Sequence, residues 1–247
     1  MRLSVIIPAF NEADNLSETI NTFHASLQEA GIHHEILVVN DNSNDKTAQV
    51  LETLINQIPT LRCLVNDPPK NGFGYAVRKG LENFSGDCAA IVMADLSDSP
   101  QDLISFYKKM VNENLDCVFG SRFVKGGTAA GYPKNKYLLN RIANTLVRII
   151  FGLKYNDCTN AFKLYKRETI EGLKPFLAPH FNLTLELSLK AIVRGYSYAV
   201  IPNSWTNRKK GVSNLRIPEM GSRYFFILIY CLIEKYFSKG DFRKKWN

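Results

Sequence analysis

The sequence predicts an α/β fold: a mostly parallel, twisted, doubly wound sheet with helices on both faces, followed by a C-terminal helix. Three observations carry this. Short apolar, β-branched runs alternate with stretches of helical periodicity. Several of those runs are hydrophobic nearly throughout instead of alternating with polar residues, as strands covered on both faces are. Single helices stand between successive runs, which requires right-handed crossovers and hence a parallel sheet.

Residues 3–7 form the first run, closed by Pro8. Leu16, Ile20, Phe23, Leu27 and Ala30 then recur at helical spacing, with Gly31 where a helix C-cap belongs. Strand 35–39 and helix 46–55 follow, then strand 61–65 and helix 74–84, strand 88–93 and helix 101–112, and a further strand at 116–119. After Arg122 the rhythm changes. Residues 125–131 are a small-residue loop, Lys-Gly-Gly-Thr-Ala-Ala-Gly, expected to serve as a mobile lid before a helix over about 136–151. Residues 162–165, a short helix near 167–174, a helix around 183–194 and a strand at 197–202 complete the globule. The last helix is expected over about 218–235, with Pro218 tolerated in its first turn. The division expected is a globular domain over 1–215 and a basic, amphipathic helix with its tail over 216–247.

The chain has 247 residues, 45% of them apolar and 22% charged, enough for a full core and too ordinary for disorder or collagen. Its net charge of +8 is uneven: from Trp205 onward Lys and Arg exceed Asp and Glu by seven, leaving +1 for all that precedes. Basic charge gathered at one end points to an anionic surface, phospholipid or nucleic acid. The tail's basic residues are interleaved with aliphatics and form no recognisable nucleic-acid module, so nucleic acid is not an expected partner. The five cysteines are odd in number, scattered and never paired as CxxC, which predicts neither disulfides nor a thiolate zinc site and fits a reducing cytoplasm. The apolar run before Pro8 is too short for a signal-peptide core. The longest apolar stretch, 224–233, is half the roughly 20 residues needed to span a bilayer, so it is expected to lie on a membrane rather than cross it.

In a doubly wound sheet, ligands bind beyond the carboxyl ends of the strands. Here those ends read Pro8-Ala9-Phe10-Asn11-Glu12, Asn40-Asp41-Asn42-Ser43-Asn44-Asp45, Ala94-Asp95-Leu96-Ser97-Asp98 and Gly120-Ser121-Arg122. Any one Asp reads equally well as a helix cap, but together they exceed what capping requires. Neither a GxxxxGK[ST] nor a GxGxxG phosphate loop is present. Carboxylates gathered where a diphosphate must sit need a divalent cation between them. Asp95, with Ser97 or Asp98, is the expected place for Mg2+ or Mn2+; the cap of the helix near Pro100 fits Asp98 or Ser99 better than Asp95.

These segments, with Asn71-Gly72-Phe73-Gly74-Tyr75-Ala76 and Gly120-Ser121-Arg122-Phe123, resemble family-2 glycosyltransferases with a GT-A fold, more narrowly the dolichol- and polyprenyl-phosphate mannose synthases. The likeness covers roughly residues 3–215. It implies that Pro8, Phe10 and Glu12 border the nucleotide, that Val39 and Asp41 hold the base, and that Ala94 and Asp95 meet the diphosphate and metal. Ser97 falls where the family often has a further metal-coordinating group, and Arg122 near the reacting phosphates. Lys136, Asn140 and Arg141 fall where this group holds the acceptor phosphate, and Arg208, Lys209 and Lys210 match a late basic loop. The family's Asp-x-Asp is Met93-Ala94-Asp95 here, and a thioether is a poor ligand for magnesium. Asp98 is one candidate to compensate; Asp95 with waters and the donor's diphosphate is another. No QxxRW-like string is present, which argues against processive polysaccharide synthases.

The expected reaction is an inverting transfer of a hexose from GDP-mannose or a UDP-sugar to a polyprenyl phosphate at the cytoplasmic membrane surface, with Asp95 and Arg122 as the catalytic residues. A phosphate acceptor is already ionised near neutral pH and needs no general base. An acceptor hydroxyl would need one. Asp157 and Glu186 are the candidates, each reading more readily as structural. Alternatives at this stage are transfer to a hydroxyl of a glycan or lipid, and a catalytically weak nucleotide-sugar binder. The C-terminal helix also leaves room for packing on the core or for a homo-oligomer.

Overall fold

The computed structural model describes residues 1–69, 71–208, 217–238 and 240–244, the side chains of 217–220 excepted. In chain order the elements are β1 (Leu3–Ala9), α1 (Ala13–Glu29), β2 (His34–Asn40), α2 (Thr47–Ile55), β3 (Leu61–Val65), α3 (Phe73–Asn83), β4 (Cys88–Ile91), α4 (Pro100–Asn112), β5 (Cys117–Ser121), β6 (Thr128–Ala130), α5 (Lys134–Phe151), β7 (Lys163–Lys166), α6 (Arg167–Gly172), α7 (Leu183–Val193), β8 (Tyr198–Pro202), β9 (Ser204–Thr206) and α8 (Ile217–Phe237).

Seven strands make one sheet in the order β3-β2-β1-β4-β7-β5-β8. All its pairings are parallel except those of β7, which runs antiparallel to both β4 and β5. Every residue of β1 and β2 is buried, so those strands carry hydrophobic runs on both faces. Leu3, Val5 and Ile7 pack with α1, α2 and α4 on one side of the sheet. Ile6, Leu37, Ala89 and Ile91 face the other way, toward α3, α5, α7 and α8. Strand order reverses between β1 and β4: the chain first winds outward through β2 and β3, then returns to the far side of β1. That crevice is where the loops after the strands diverge and a ligand can enter.

One expectation changes here. The 125–131 loop is not left open as a lid, since three of its residues form β6, which pairs in parallel with β9 as a two-stranded ribbon. Gly127 permits this, because a Cβ there would stand 2.4 Å from the Ser121 carbonyl oxygen. The outward face of α8 is apolar. Ile227 and Cys231 enter the second core, while Phe225, Phe226, Ile229, Ile233, Tyr236 and Phe237 point to solvent. The helix is tied to the globule by Arg194, whose guanidinium donates to both Glu234 carboxylate oxygens at 2.6 and 2.9 Å. Among the described residues no helix is long and apolar enough to cross a membrane.

Candidate active site

A cavity of about 740 Å³ opens at the strand-order reversal, walled by the loops after β1, β2, β4 and β5, by the start of α3, the segment just before α7, and by α5, β9 and α8. Three of the strand-end loops are held in left-handed backbone conformations: Asn11 (φ 55°), Asn42 (φ 58°) and Leu96 (φ 54°). Such a conformation costs about 1–3 kcal/mol for a branched residue such as Leu96, and it persists where surrounding bonds over-determine it. Those bonds are present. The Ser43 hydroxyl accepts from the Asn11 N–H at 3.0 Å and the Asn11 side-chain oxygen accepts from the Asn44 N–H at 2.9 Å, stapling the first loop to the second. Asp45 accepts from the N–H groups of Thr47 and Ala13, so it is a capping residue rather than part of the site.

Asp95 lies beyond β4. Its Oδ1 accepts from the Ser97 N–H at 3.2 Å and its Oδ2 lies 2.7 Å from the Arg208 guanidinium, which also reaches Glu12 at 3.4 Å. Burial pushes the Glu12 carboxyl above its ordinary range, and the Asp95 charge adds to the shift, while Asn15 and Arg208 act against it. Asp98 is 3% exposed and accepts from the Met93 N–H at 3.1 Å; burial raises it to about 7. Among the described residues no group of three or more His, Cys, Asp or Glu is placed to hold a metal ion. The donor set therefore offers a cation one protein carboxylate, Asp95, and leaves its remaining positions to waters and, when donor is bound, to the diphosphate.

Asp41 is pinned from two sides: the Asn66 amide donates to Oδ1 and the Gly72 N–H to Oδ2, each at 2.7 Å. Gly72 sits at φ 131°, where a Cβ would meet the His180 ring at 2.8 Å. A Cβ on Gly74 would stand 2.4 Å from the Pro179 carbonyl carbon. The glycines thus let the N-terminus of α3 approach residues 179–181, an approach fastened by the stacking of Phe73 on Phe181 at 4.2 Å.

Arg122 is almost wholly buried and closed by Asp157, which accepts from its backbone N–H at 3.0 Å, its Nε at 2.8 Å and its Nη2 at 2.7 Å. Burial alone would lower the arginine; the Asp157 charge reverses that and drives it up. Glu186, fully buried, accepts from the N–H groups of Leu177 and Ala178 and from Lys190 at 2.6 Å. On α5 one polar residue turns fully inward: buried Asn144 donates to Asn140 and to the Thr159 hydroxyl, each at 2.9 Å. The outward face of α5 carries Leu138, Ile142, Leu146 and Ile149, the last 69% exposed.

Of the residues the sequence singled out, Pro8, Phe10, Glu12, Asp41, Asp95, Ser97, Asp98, Arg122, Lys136, Asn140 and Arg208 line the cavity. Val39, Ala94 and Arg141 stand off its wall. Val39 is wholly buried, with its side chain close to Gly80; Ala94 belongs to the first core; and the Arg141 guanidinium lies over the Phe123 ring at 4.5 Å. Lys209 and Lys210 fall outside the described residues. Sequence reasoning did not single out Tyr132, His180, Trp205 and Arg223 as site residues, though all four line the cavity. Four separate segments deliver them, and no spacing marks them.

Residues 4–173 match the model of glycosyl transferase family 2. The chain is 31% identical over 219 residues to polyprenol monophosphomannose synthase of Mycolicibacterium smegmatis, covering 87% of this chain and 81% of that protein. It is also 31% identical over 225 residues to dolichol-phosphate mannosyltransferase of Pyrococcus furiosus, covering 87% of this chain but only 60% of that longer protein. Glucosyl-3-phosphoglycerate synthase from Mycobacterium tuberculosis, crystallised with Mn2+, UDP and glucosyl-3-phosphoglycerate, superimposes with a TM-score of 0.70 at 18% identity, over 95% of this chain and 79% of that one. That last likeness establishes the shared GT-A architecture. The family match runs from β1 to the residues just after α6 and so takes in the β1, β2, β4 and β5 loops that open on the cavity; on it the chain belongs to glycosyl transferase family 2, and it is a glycosyltransferase.

Proposed function

We propose that the protein transfers a hexose, with inversion, from a nucleoside-diphosphate sugar to a polyprenyl phosphate at the cytoplasmic face of a membrane. GDP-mannose is the donor favoured by the names of the relatives, and a UDP-sugar is the runner-up. One observation carries the choice of acceptor. Asp157 and Glu186, the carboxylates the sequence offers as a base for an acceptor hydroxyl, are both closed in internal bonds, to Arg122 and to Lys190 with two backbone N–H groups. The surrounding wall carries cations instead: Arg122, Lys136 and Arg223. A phosphate arrives already ionised, needs no base, and is oriented and shielded by such cations.

The carboxylate side of the cavity suits the donor. Phe10 offers a 41% exposed ring at the mouth, and Asp95 faces the place for the diphosphate. A Mg2+ or Mn2+ bound there would offset the leaving diphosphate's charge, with Asp95 as its principal protein ligand and Ser97 beside it. Asp98 is turned onto the Met93 N–H and serves to hold the loop. Arg122, fixed by Asp157, presents its charge without side-chain reorganisation, and Lys136 and Asn140 on α5 border the acceptor side.

The lipid reaches the cavity along α5 and α8, which both border it and both expose apolar side chains outward. The aliphatic side chains that α5 holds outward, Leu138, Ile142, Leu146 and Ile149, have no use in water. With the exposed apolar face of α8 they form a surface that lodges at a bilayer, and each nearby Lys or Arg adds about 1 kcal/mol where the lipid is anionic.

Purified protein, Mg2+ or Mn2+, and radiolabelled sugar nucleotides are incubated with polyprenyl phosphate or with the unphosphorylated polyprenol. Label should enter the organic phase only with the phosphate. Equal product from the alcohol overturns the acceptor assignment.

A further inference from the structure

Arg208 does something in this site that sugar transfer does not by itself require. It follows directly on β9, and the β6–β9 ribbon lies across the loop that carries Asp95. The Thr206 N–H donates to the Ser97 carbonyl at 3.1 Å, Asp98 bridges to Trp205, and the Asn207 N–H donates to the Ala130 carbonyl at 3.0 Å. From that support the guanidinium spans two carboxylates from different strand ends, Asp95 at 2.7 Å and Glu12 at 3.4 Å, with its side chain only 18% exposed.

The two oxygens of Asp95 are therefore both in use. Oδ1 holds the Ser97 N–H, a backbone donor fixed by the left-handed turn at Leu96. Oδ2 holds Arg208, a long side chain with several rotatable bonds. A divalent cation must bind an oxygen of Asp95 at about 2.0–2.1 Å, and it repels a guanidinium on the same carboxylate. The backbone donor has nowhere to go; the side chain has.

We propose that Arg208 is a resident counter-cation that competes with the divalent metal for Asp95 and, when displaced, turns to the phosphate groups in the same cavity. The proposal rests on the reading that Asp95 holds the cation. Before loading, Arg208 keeps Glu12 and Asp95 from repelling each other across the crevice. Once metal takes over that neutralisation, the arginine becomes available to an anion, so one side chain couples metal entry to phosphate capture. Trp205, three residues earlier, lies tilted against Tyr132 with ring centroids 4.9 Å apart and lines the same cavity, so it reports on the exchange.

Free Mn2+ is counted by electron paramagnetic resonance in titrations of the wild type, Arg208→Gln, Lys136→Gln and Asp95→Asn, without donor. Arg208→Gln should bind Mn2+ at least fivefold more tightly than the wild type. Lys136→Gln, which removes a cavity charge that does not touch Asp95, should change affinity less than twofold. Equal or weaker binding by Arg208→Gln, or equal tightening by Lys136→Gln, overturns the proposal. Asp95→Asn separates the two readings: if it binds Mn2+ as the wild type does, the metal assignment itself fails. A measurement that leaves Arg208 in place is a Mg2+ titration of Trp205 fluorescence in Trp246→Phe protein. A saturable change supports the exchange, and a flat response overturns it.

Discussion

The two ends of the central sheet hold the same residue types in opposite electrostatic states. At the amino end of the strands, Glu35 is fully buried and accepts from the Ser4 hydroxyl, the Ser85 N–H and Arg62. Burial by itself would raise this carboxyl, but its donors outweigh burial and hold it down at about 2. Asp116, before β5, is likewise lowered: Lys244 and Ser197 outweigh its burial. At the carboxyl end the balance reverses. Glu12, Asp41 and Asp98 are all raised, burial being the largest cause in each, because the donors available to them do not compensate for lost water. Charges at the amino end are satisfied by the fold. Glu12, Asp41 and Asp98 at the carboxyl end are satisfied incompletely, and a bound cation and diphosphate would complete the charge balance of the rim they share.

The comparison can be broken at its most closed point, the Arg122–Asp157 pair, which lies at the carboxyl end yet is completed internally. Asp157→Ala leaves a buried guanidinium unpaired and should destabilise the fold by about 3–5 kcal/mol in denaturant unfolding. A loss under about 1 kcal/mol would mean that Arg122 is not held by Asp157. Next in size, Asp95→Asn should lower turnover about 100- to 1000-fold while the unfolding free energy stays within about 1 kcal/mol of wild type. A large stability loss there would place Asp95 with the structural carboxylates.

Glu35→Gln sharpens the contrast from the other side. It should cost on the order of 2 kcal/mol at pH 7 and leave turnover per folded molecule unchanged. Because the folded-state value is depressed, Glu35 stabilises fully above its unfolded value near 4.5, and that contribution is lost as pH falls toward about 2. The wild-type and Glu35→Gln unfolding curves should therefore converge over that window. The smallest effect is expected of Lys244→Ala. Its pair with Asp116 is a quarter exposed on the lysine side, and its removal should cost about 0.2–1 kcal/mol and shrink further in high salt.

How much of this was legible before the structure follows from where each residue gets its meaning. Glu12, Asp41, Asp95 and Arg122 were readable because each follows an apolar run, and parallel strands bring all such positions to one rim. His180 and Arg223 were not, because they reach the cavity from segments around α7 and α8 whose local pattern reads as ordinary helix. Nothing in residues 162–165 announced that β7 would run antiparallel: a short apolar strand has the same composition in either direction. The small residues of 125–131 read as an open loop, and only pairing with β9, some 76 positions on, turned three of them into a strand.

The sequence by itself determined the layered α/β architecture, the rim on which the carboxylates gather and the excess of basic charge toward the C-terminus. Those depend on periodicity and composition, which act locally and survive without knowledge of partners. Tertiary structure alone decided which carboxylates are closed and which stay available. It gave Asp157 to Arg122 and Glu186 to Lys190, and it set Arg208 on Asp95. Pairing energies depend on distance and burial, and neither is defined until distant parts of the chain meet.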